Sequence, residues 1–147
     1  MQASQSTSSL QLLPTDPLQR RVAPPPPGVP VSALPPQTRP LLERLRDAAR
    51  RARCGRQMSL SEARQCLACP GAASGAAEAL VRTLGEVLGR RPRFHQPGAP
   101  MASFDEAWLL RCHAAQGARD ADSLALLTGR RVPAPLRRPF LDLLRAL

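Results

Sequence analysis

The residues best suited to chemistry in this sequence are four cysteines and two histidines. Cys66 and Cys69 form a C-x-x-C pair, with Cys54 upstream and His95 downstream. A C-x-x-C pair supplies two of the four thiolate or imidazole ligands that a structural zinc site needs. The sequence holds no second pair, because Cys54 and His95 are isolated. These four residues are the candidate metal ligands, and zinc is the candidate cofactor.

Two other interpretations of the C-x-x-C pair stay open. Free cysteine is among the most buried residue types, and Cys66 falls beside an apolar stripe that includes Leu60 and Leu67. The pair could instead be redox-active, but no strand precedes it as a redox motif in a βαβ unit requires. We favour packing in the core over zinc binding and redox chemistry.

No catalytic constellation is visible around the histidines. The sequence lacks a nucleotide-binding glycine loop, HExxH, GxSxG and an EF-hand spacing. No Ser or Cys is paired with His113 in a way that marks a nucleophile. His113 lies seven residues after Glu106, which is typical of a surface histidine near a carboxylate. We therefore expect a protein that is not an enzyme.

Positive charge is the next feature with chemical meaning. All 21 basic residues are arginine, against 11 acids, and the formal net charge is +10. Lys, Ile, Asn and Tyr are absent, which indicates a GC-rich, bacterial genome and weakens any argument from arginine abundance alone. A local excess of arginine over acidic residues is more informative, and residues 41–56 hold six arginines against two acids. The candidate anion- or nucleic-acid-binding residues are Arg46, Arg50, Arg53, Arg90, Arg91 and Arg93.

Such arginine clusters could bind DNA or RNA, with an affinity that falls as salt rises. The aromatic share of 3% argues against a platform that stacks bases. The segment from Leu60 to Leu67 resembles the first helix of a helix-turn-helix, but the turn after Cys69 is long. The next helix has no Arg, Asn or Gln near its start to read base edges. Because the arginine clusters support nucleic-acid binding while these other features argue against it, a transcriptional regulator that binds nucleic acid is only the alternative interpretation.

The elements that must position these residues begin after a distinct N-terminal stretch. Ten of the 17 prolines fall within the first 40 residues, and four successive prolines at 24–27 favour polyproline II. We predict a disordered Ser/Gln- and Pro-rich arm over residues 1–37. A secretory signal begins with basic residues, but the first basic residue of this sequence is Arg20. An export signal of another type stays open for the arm. No apolar run approaches the about 18 residues of a membrane span, and we expect a cytoplasmic protein.

From Thr38 onward the apolar residues follow helical spacing. Two capping boxes, one beginning at Ser59 and one at Ser103, mark the starts of helices. Two i,i+4 ion pairs are expected on the third helix, Glu78 with Arg82 and Glu86 with Arg90. The sequence thus predicts an all-α domain over residues 38–147, a compact bundle of five or six short helices. The predicted helices cover residues 39–53, 60–69, 75–90, 104–115, 123–128 and 135–147.

An apolar stripe near the C-terminus supplies the candidate partner-binding residues. Stripes of this kind usually face the core, and any part left uncovered becomes a docking surface. The main functional prediction is a non-enzymatic adaptor, accessory or regulatory protein that binds another protein. A zinc-stabilised interaction module is the second alternative. The candidate partner-binding residues are Trp108, Phe140, Leu144 and Leu147.

Overall fold

The computed structural model describes residues 28–68 and 75–147. This part of the chain folds into six α-helices and one two-stranded antiparallel ladder, which confirms the predicted all-α bundle. None of the described helices is long and apolar enough to cross a membrane. The helices are α1 (Arg39–Ala52), α2 (Leu60–Leu67), α3 (Ala76–Leu88), α4 (Phe104–Gly117), α5 (Ala121–Gly129) and α6 (Ala134–Arg145), and the strands are β1 (Val29–Pro30) and β2 (Met101–Ala102).

Both predicted capping boxes are present and fix the starts of α2 and α4. Ser59 Oγ accepts a hydrogen bond from the backbone N–H of Glu62, whose carboxylate accepts one from the Ser59 N–H. Ser103 and Glu106 make the same two bonds at α4, at 3.1 and 2.7 Å. A cap of this kind stabilises a helix by about 1 kcal/mol, because it pairs backbone donors that have no partner within the helix.

The core lies where α1 packs on α3, α2 and α3 pack on α6, and α4 packs on both α5 and α6. Leu42 and Leu45 of α1 and Leu80 and Leu84 of α3 are almost completely buried. Helix α4 is buried on most of its circumference, as its apolar sequence predicts, and therefore occupies a central position.

The predicted partner-binding stripe belongs mostly to this core, since three of its four residues are buried rather than exposed. Trp108, Phe140 and Leu144 are buried, and the Trp108 and Phe140 rings stack with centroids 5.5 Å apart. The Trp108 Nε1–H donates to the Leu127 carbonyl at 2.9 Å. Leu147 is partly buried against the same core. These side chains are covered because α6 packs across α3 and α4.

Ordered structure begins before the predicted helical domain. Strand β1 pairs with β2, so that Val29 lies opposite Ala102, and the Val31 N–H donates to the Pro100 carbonyl at 2.8 Å. A Cβ at Gly28 would come within 2.4 Å of the Ala102 carbonyl oxygen, so only glycine fits this approach. Residues 28–37 of the predicted arm are therefore packed on the domain, through a partner strand too distant in sequence to be inferred from local composition. Residues 1–27 lie outside the described residues.

Candidate anion-binding cleft

Two basic stretches that are far apart in the sequence line a single open cleft of about 720 Å³. One wall comes from the end of α1 and the connection to α2, and the other from the loop over residues 89–100 between α3 and β2. Among the described residues, neither Asp nor Glu lines the cleft. The lining side chains that carry or can carry positive charge are Arg53, Arg56, Arg82, Arg91, Arg93 and His95.

Three of the six arginines predicted to bind anions line this cleft, and all three are exposed: Arg53, Arg91 and Arg93. Within the described part of the chain, none of their guanidinium groups pairs with a carboxylate. Arg50 is also exposed, but it pairs with Asp47 at 3.1 Å and does not line the cleft. The cleft therefore holds at least three uncompensated positive charges.

Arg46, another arginine predicted to bind anions, is not exposed and does not line the cleft. Its side chain is fully buried, and it forms a bidentate ion pair with the buried carboxylate of Glu106, Nε to Oε1 at 3.0 Å and Nη2 to Oε2 at 3.2 Å. Its Nη1 also donates to Glu43 at 2.9 Å and to the Ala99 carbonyl at 3.0 Å. Burial alone would lower the pKa of Arg46, but the hydrogen bonds and charges of Glu106 and Glu43 outweigh it and raise that pKa, so the guanidinium stays charged.

Glu106 also holds the loop that forms the second wall of the cleft. Its Oε1 accepts from the His95 N–H at 2.9 Å, while the neighbouring Asp105 accepts from the Arg93 N–H at 2.9 Å. The Ser103 hydroxyl donates to the Arg93 carbonyl at 2.6 Å. The backbone between the exposed side chains of this wall is therefore bound to the first turn of α4.

Arg90, another predicted anion-binding residue, is engaged by Asp105 and does not line the cleft. Its guanidinium makes two hydrogen bonds to that carboxylate, at 2.6 and 3.0 Å, and Arg131 adds a third at 2.5 Å. Burial alone would raise the pKa of Asp105, but these bonds outweigh it and hold that pKa below its ordinary value. The predicted pair between Glu86 and Arg90 is wrong, because Glu86 instead accepts from the Leu60 N–H at 2.8 Å.

On the first wall, the sequence did not single out Arg82 or Gly55 as part of a site. The Arg82 guanidinium lies against Gly55, where an added Cβ would be 2.2 Å from Nη2. Arg82 also makes the predicted ion pair with Glu78, at 2.8 Å. The glycine thus provides the space in which Arg82 reaches the cleft. A small residue opposite a lining arginine is a signal visible only once the fold is known.

The floor of the cleft is apolar. Its residues lie deeper than the exposed arginines, since two are buried and three are half-buried: Ala49 and Val81, then Ala52, Pro92 and Phe94. Exposed charges around more deeply set apolar side chains can bind an anion that also carries apolar surface. The sequence did not predict this floor, because its residues come from three separate elements.

The three cysteines that the structure describes do not belong to a metal-binding group. Cys54 and Cys66 are exposed and Cys112 is buried, so the prediction of packing is wrong for Cys66, while Cys69 lies outside the described residues. Within residues 28–68 and 75–147, no group of three or more His, Cys, Asp or Glu side chains is arranged to hold a metal ion. His95 lines the basic cleft instead.

At two neighbouring residues of α4, burial is the main cause of the pKa shift. Burial raises the pKa of the Cys112 thiol to about 12. Burial, together with the charge of Arg44, lowers the pKa of His113.

Comparison with protein families, curated proteins and solved structures gave no significant match for this chain. Function is therefore inferred from the cleft.

Proposed function

We propose that this is a non-enzymatic interaction protein whose helical domain binds an acidic segment of a partner protein in the arginine-lined cleft. The observation that carries the proposal is the convergence of Arg53, Arg91 and Arg93, from two distant stretches of sequence, around one apolar floor. Like charges focused in a cleft raise the local concentration of anions and speed their association. An adaptor, accessory or regulatory role follows from such binding.

The shape and chemistry of the cleft favour a polypeptide as the anion. A volume of about 720 Å³ is within the usual range of ligand pockets and accommodates a few side chains. Guanidinium groups bind carboxylates and phosphates alike through paired, parallel hydrogen bonds, so the apolar lining is what favours one anion over the other. Carboxylates for the walls and apolar side chains for the floor occur together in an acidic protein segment.

A nucleic-acid-binding regulator is the second candidate, favoured by the net charge of +10 and by the same exposed arginines. These groups would neutralise phosphates. Two observations favour the peptide: the aromatic side chains among the described lining residues are only Phe94 and the imidazole of His95, and the basic groups line a concavity. Stacking of single strands uses several aromatic side chains, and duplex grooves are read by protruding helices or ribbons.

A cytoplasmic location and a bacterial source stay predictions. A zinc-stabilised module would need Cys69, and metal analysis of the full chain purified without chelators tests it.

The test of the main proposal is fluorescence anisotropy with labelled probes and the full chain. A glutamate- and leucine-rich peptide is compared with duplex and single-stranded DNA, at about 50 mM and about 200 mM salt. The double variant Arg91→Glu/Arg93→Glu should weaken peptide binding about tenfold or more. The control Arg111→Glu/Arg138→Glu changes the net charge equally at exposed positions outside the cleft and should leave binding unchanged.

Two results would overturn the proposal. Binding that both double variants weaken equally would indicate attraction to net charge rather than to the cleft. Binding of DNA without binding of the peptide, lost only in the Arg91→Glu/Arg93→Glu variant, would establish the nucleic-acid candidate instead.

A further inference from the structure

Each wall of the cleft places an apolar residue directly beside an arginine in the chain. Ala52 is followed by Arg53 on the first wall, and Arg93 is followed by Phe94 on the second. All four of these residues line the cleft. On α3 the pair Val81 and Arg82 repeats this arrangement. Three separate elements therefore contribute the same combination of one floor residue and one cation.

We propose that the floor of this cleft is a specificity subsite, which takes one large apolar side chain flanked on both sides by carboxylates of the acidic segment. This inference rests on the proposed function and adds the chemistry of the partner. The apolar groups are at the bottom, and the exposed guanidinium groups of Arg53 and Arg93 are beside them. The matching ligand has its acids directly next to its apolar residue.

The small size of the α1 side chains leaves the space for such an anchor. Ala49 and Ala52 are one helical turn apart and both face the cleft. Ala52 keeps part of its surface exposed, whereas Ala49 is buried. Because Ala52 is half-buried at the edge of the core and ends α1, a leucine at this position would occupy part of the apolar floor.

The subsite separates apolar-anchored acidic peptides from polyanions in general. A phosphate backbone or an all-glutamate chain interacts with the guanidinium groups but has no aliphatic side chain for the floor. Removing apolar surface from water strengthens binding in proportion to the area that is buried. A leucine at the centre of an acidic peptide should therefore tighten binding about tenfold relative to a serine.

The experiment compares two labelled peptides of equal charge, in which glutamates surround either one central leucine or one central serine. Anisotropy titrations use the full chain and its Ala52→Leu variant. Ala125→Leu, at an exposed position of α5, is the matched control. We expect the unmodified chain to prefer the leucine peptide, Ala52→Leu to abolish that preference while keeping the serine-peptide affinity, and Ala125→Leu to change neither.

The outcomes distinguish this inference from the proposed function. Equal binding of both peptides by the unmodified chain overturns the subsite but leaves an acidic cleft ligand in place. If Ala52→Leu weakens the binding of both peptides equally, the subsite is also overturned. Absence of any peptide binding overturns the proposed function itself. The peptide comparison needs no substitution, so it decides the question even if Ala52→Leu fails to fold.

Discussion

The guanidinium of Arg46 lies fully buried against the carboxylate of Glu106, joined by two parallel hydrogen bonds between α1 and α4. The same carboxylate accepts the N–H groups of His95 and Ser103. Four donors thus satisfy one buried anion, which is the condition under which a buried charge is tolerated. The ion pair therefore fixes both the packing of two helices and the loop that carries one wall of the cleft.

Glu106→Gln should lower the free energy of unfolding by about 3 kcal/mol, because Arg46 loses its buried counterion and keeps only the partly exposed carboxylate of Glu43. Urea denaturation measures this change. The control is Asp47→Asn, which removes an exposed pair with Arg50 and should cost less than about 1 kcal/mol. Equal costs for the two substitutions would contradict the role assigned to the buried pair.

Asp105 should make the stability of the folded chain sensitive to acid. Its pKa is lower in the folded than in the unfolded chain, so its stabilising effect is complete above the ordinary carboxyl pKa of about 3.9. That effect is lost as pH falls through the folded pKa, because protonation weakens the bonds from Arg90 and Arg131. Denaturation as a function of pH should show Asp105→Asn less stable than the unmodified chain at neutral pH, with the difference shrinking in acid. A difference in stability between the two chains that does not change with pH would refute this role of Asp105.

Gly55→Ala should affect binding more than stability. The added Cβ would displace the Arg82 guanidinium, which is the movable end of a side chain. We expect acidic-peptide affinity to fall severalfold while thermal stability changes little. At Gly117, the last residue of α4, no atom lies within 4 Å of an added Cβ, so Gly117→Ala should leave binding unchanged. Unaltered binding in Gly55→Ala would show that Arg82 does not contact the ligand.

Thiol labelling should separate the cysteines by burial. In a Cys69→Ser chain, Cys54 and Cys66 should react with a thiol reagent at neutral pH in the native state, because both are exposed. Cys112 should react only after denaturation, since burial shields its thiol and raises its pKa to about 12. Mass spectrometry locates the labels. Prompt native labelling of Cys112 would contradict its position in the core.

The sequence predicted those features whose causes are local. Ser59 and Glu62 determine the start of α2 within one helical turn, and helical spacing revealed the core face of α1. Arg46 was misplaced because its partner Glu106 is 60 residues away, so local charge balance gave no sign of burial. Local composition did identify the basic stretches that contain Arg53 and Arg93. Their convergence on one cleft depends on packing between α1 and α3 and on the loop, which periodicity cannot reveal.

The ladder between β1 and β2 connects the cleft to the first described residues of the chain. The loop that carries Arg91 and Arg93 ends in β2, and β2 is bonded to the residues directly after Gly28. The Met101 carbonyl of the same strand accepts from Arg46 at 2.7 Å. The first described residues and the loop that carries Arg91 and Arg93 are therefore held by one strand, β2, whose Met101 also bonds to the buried ion pair.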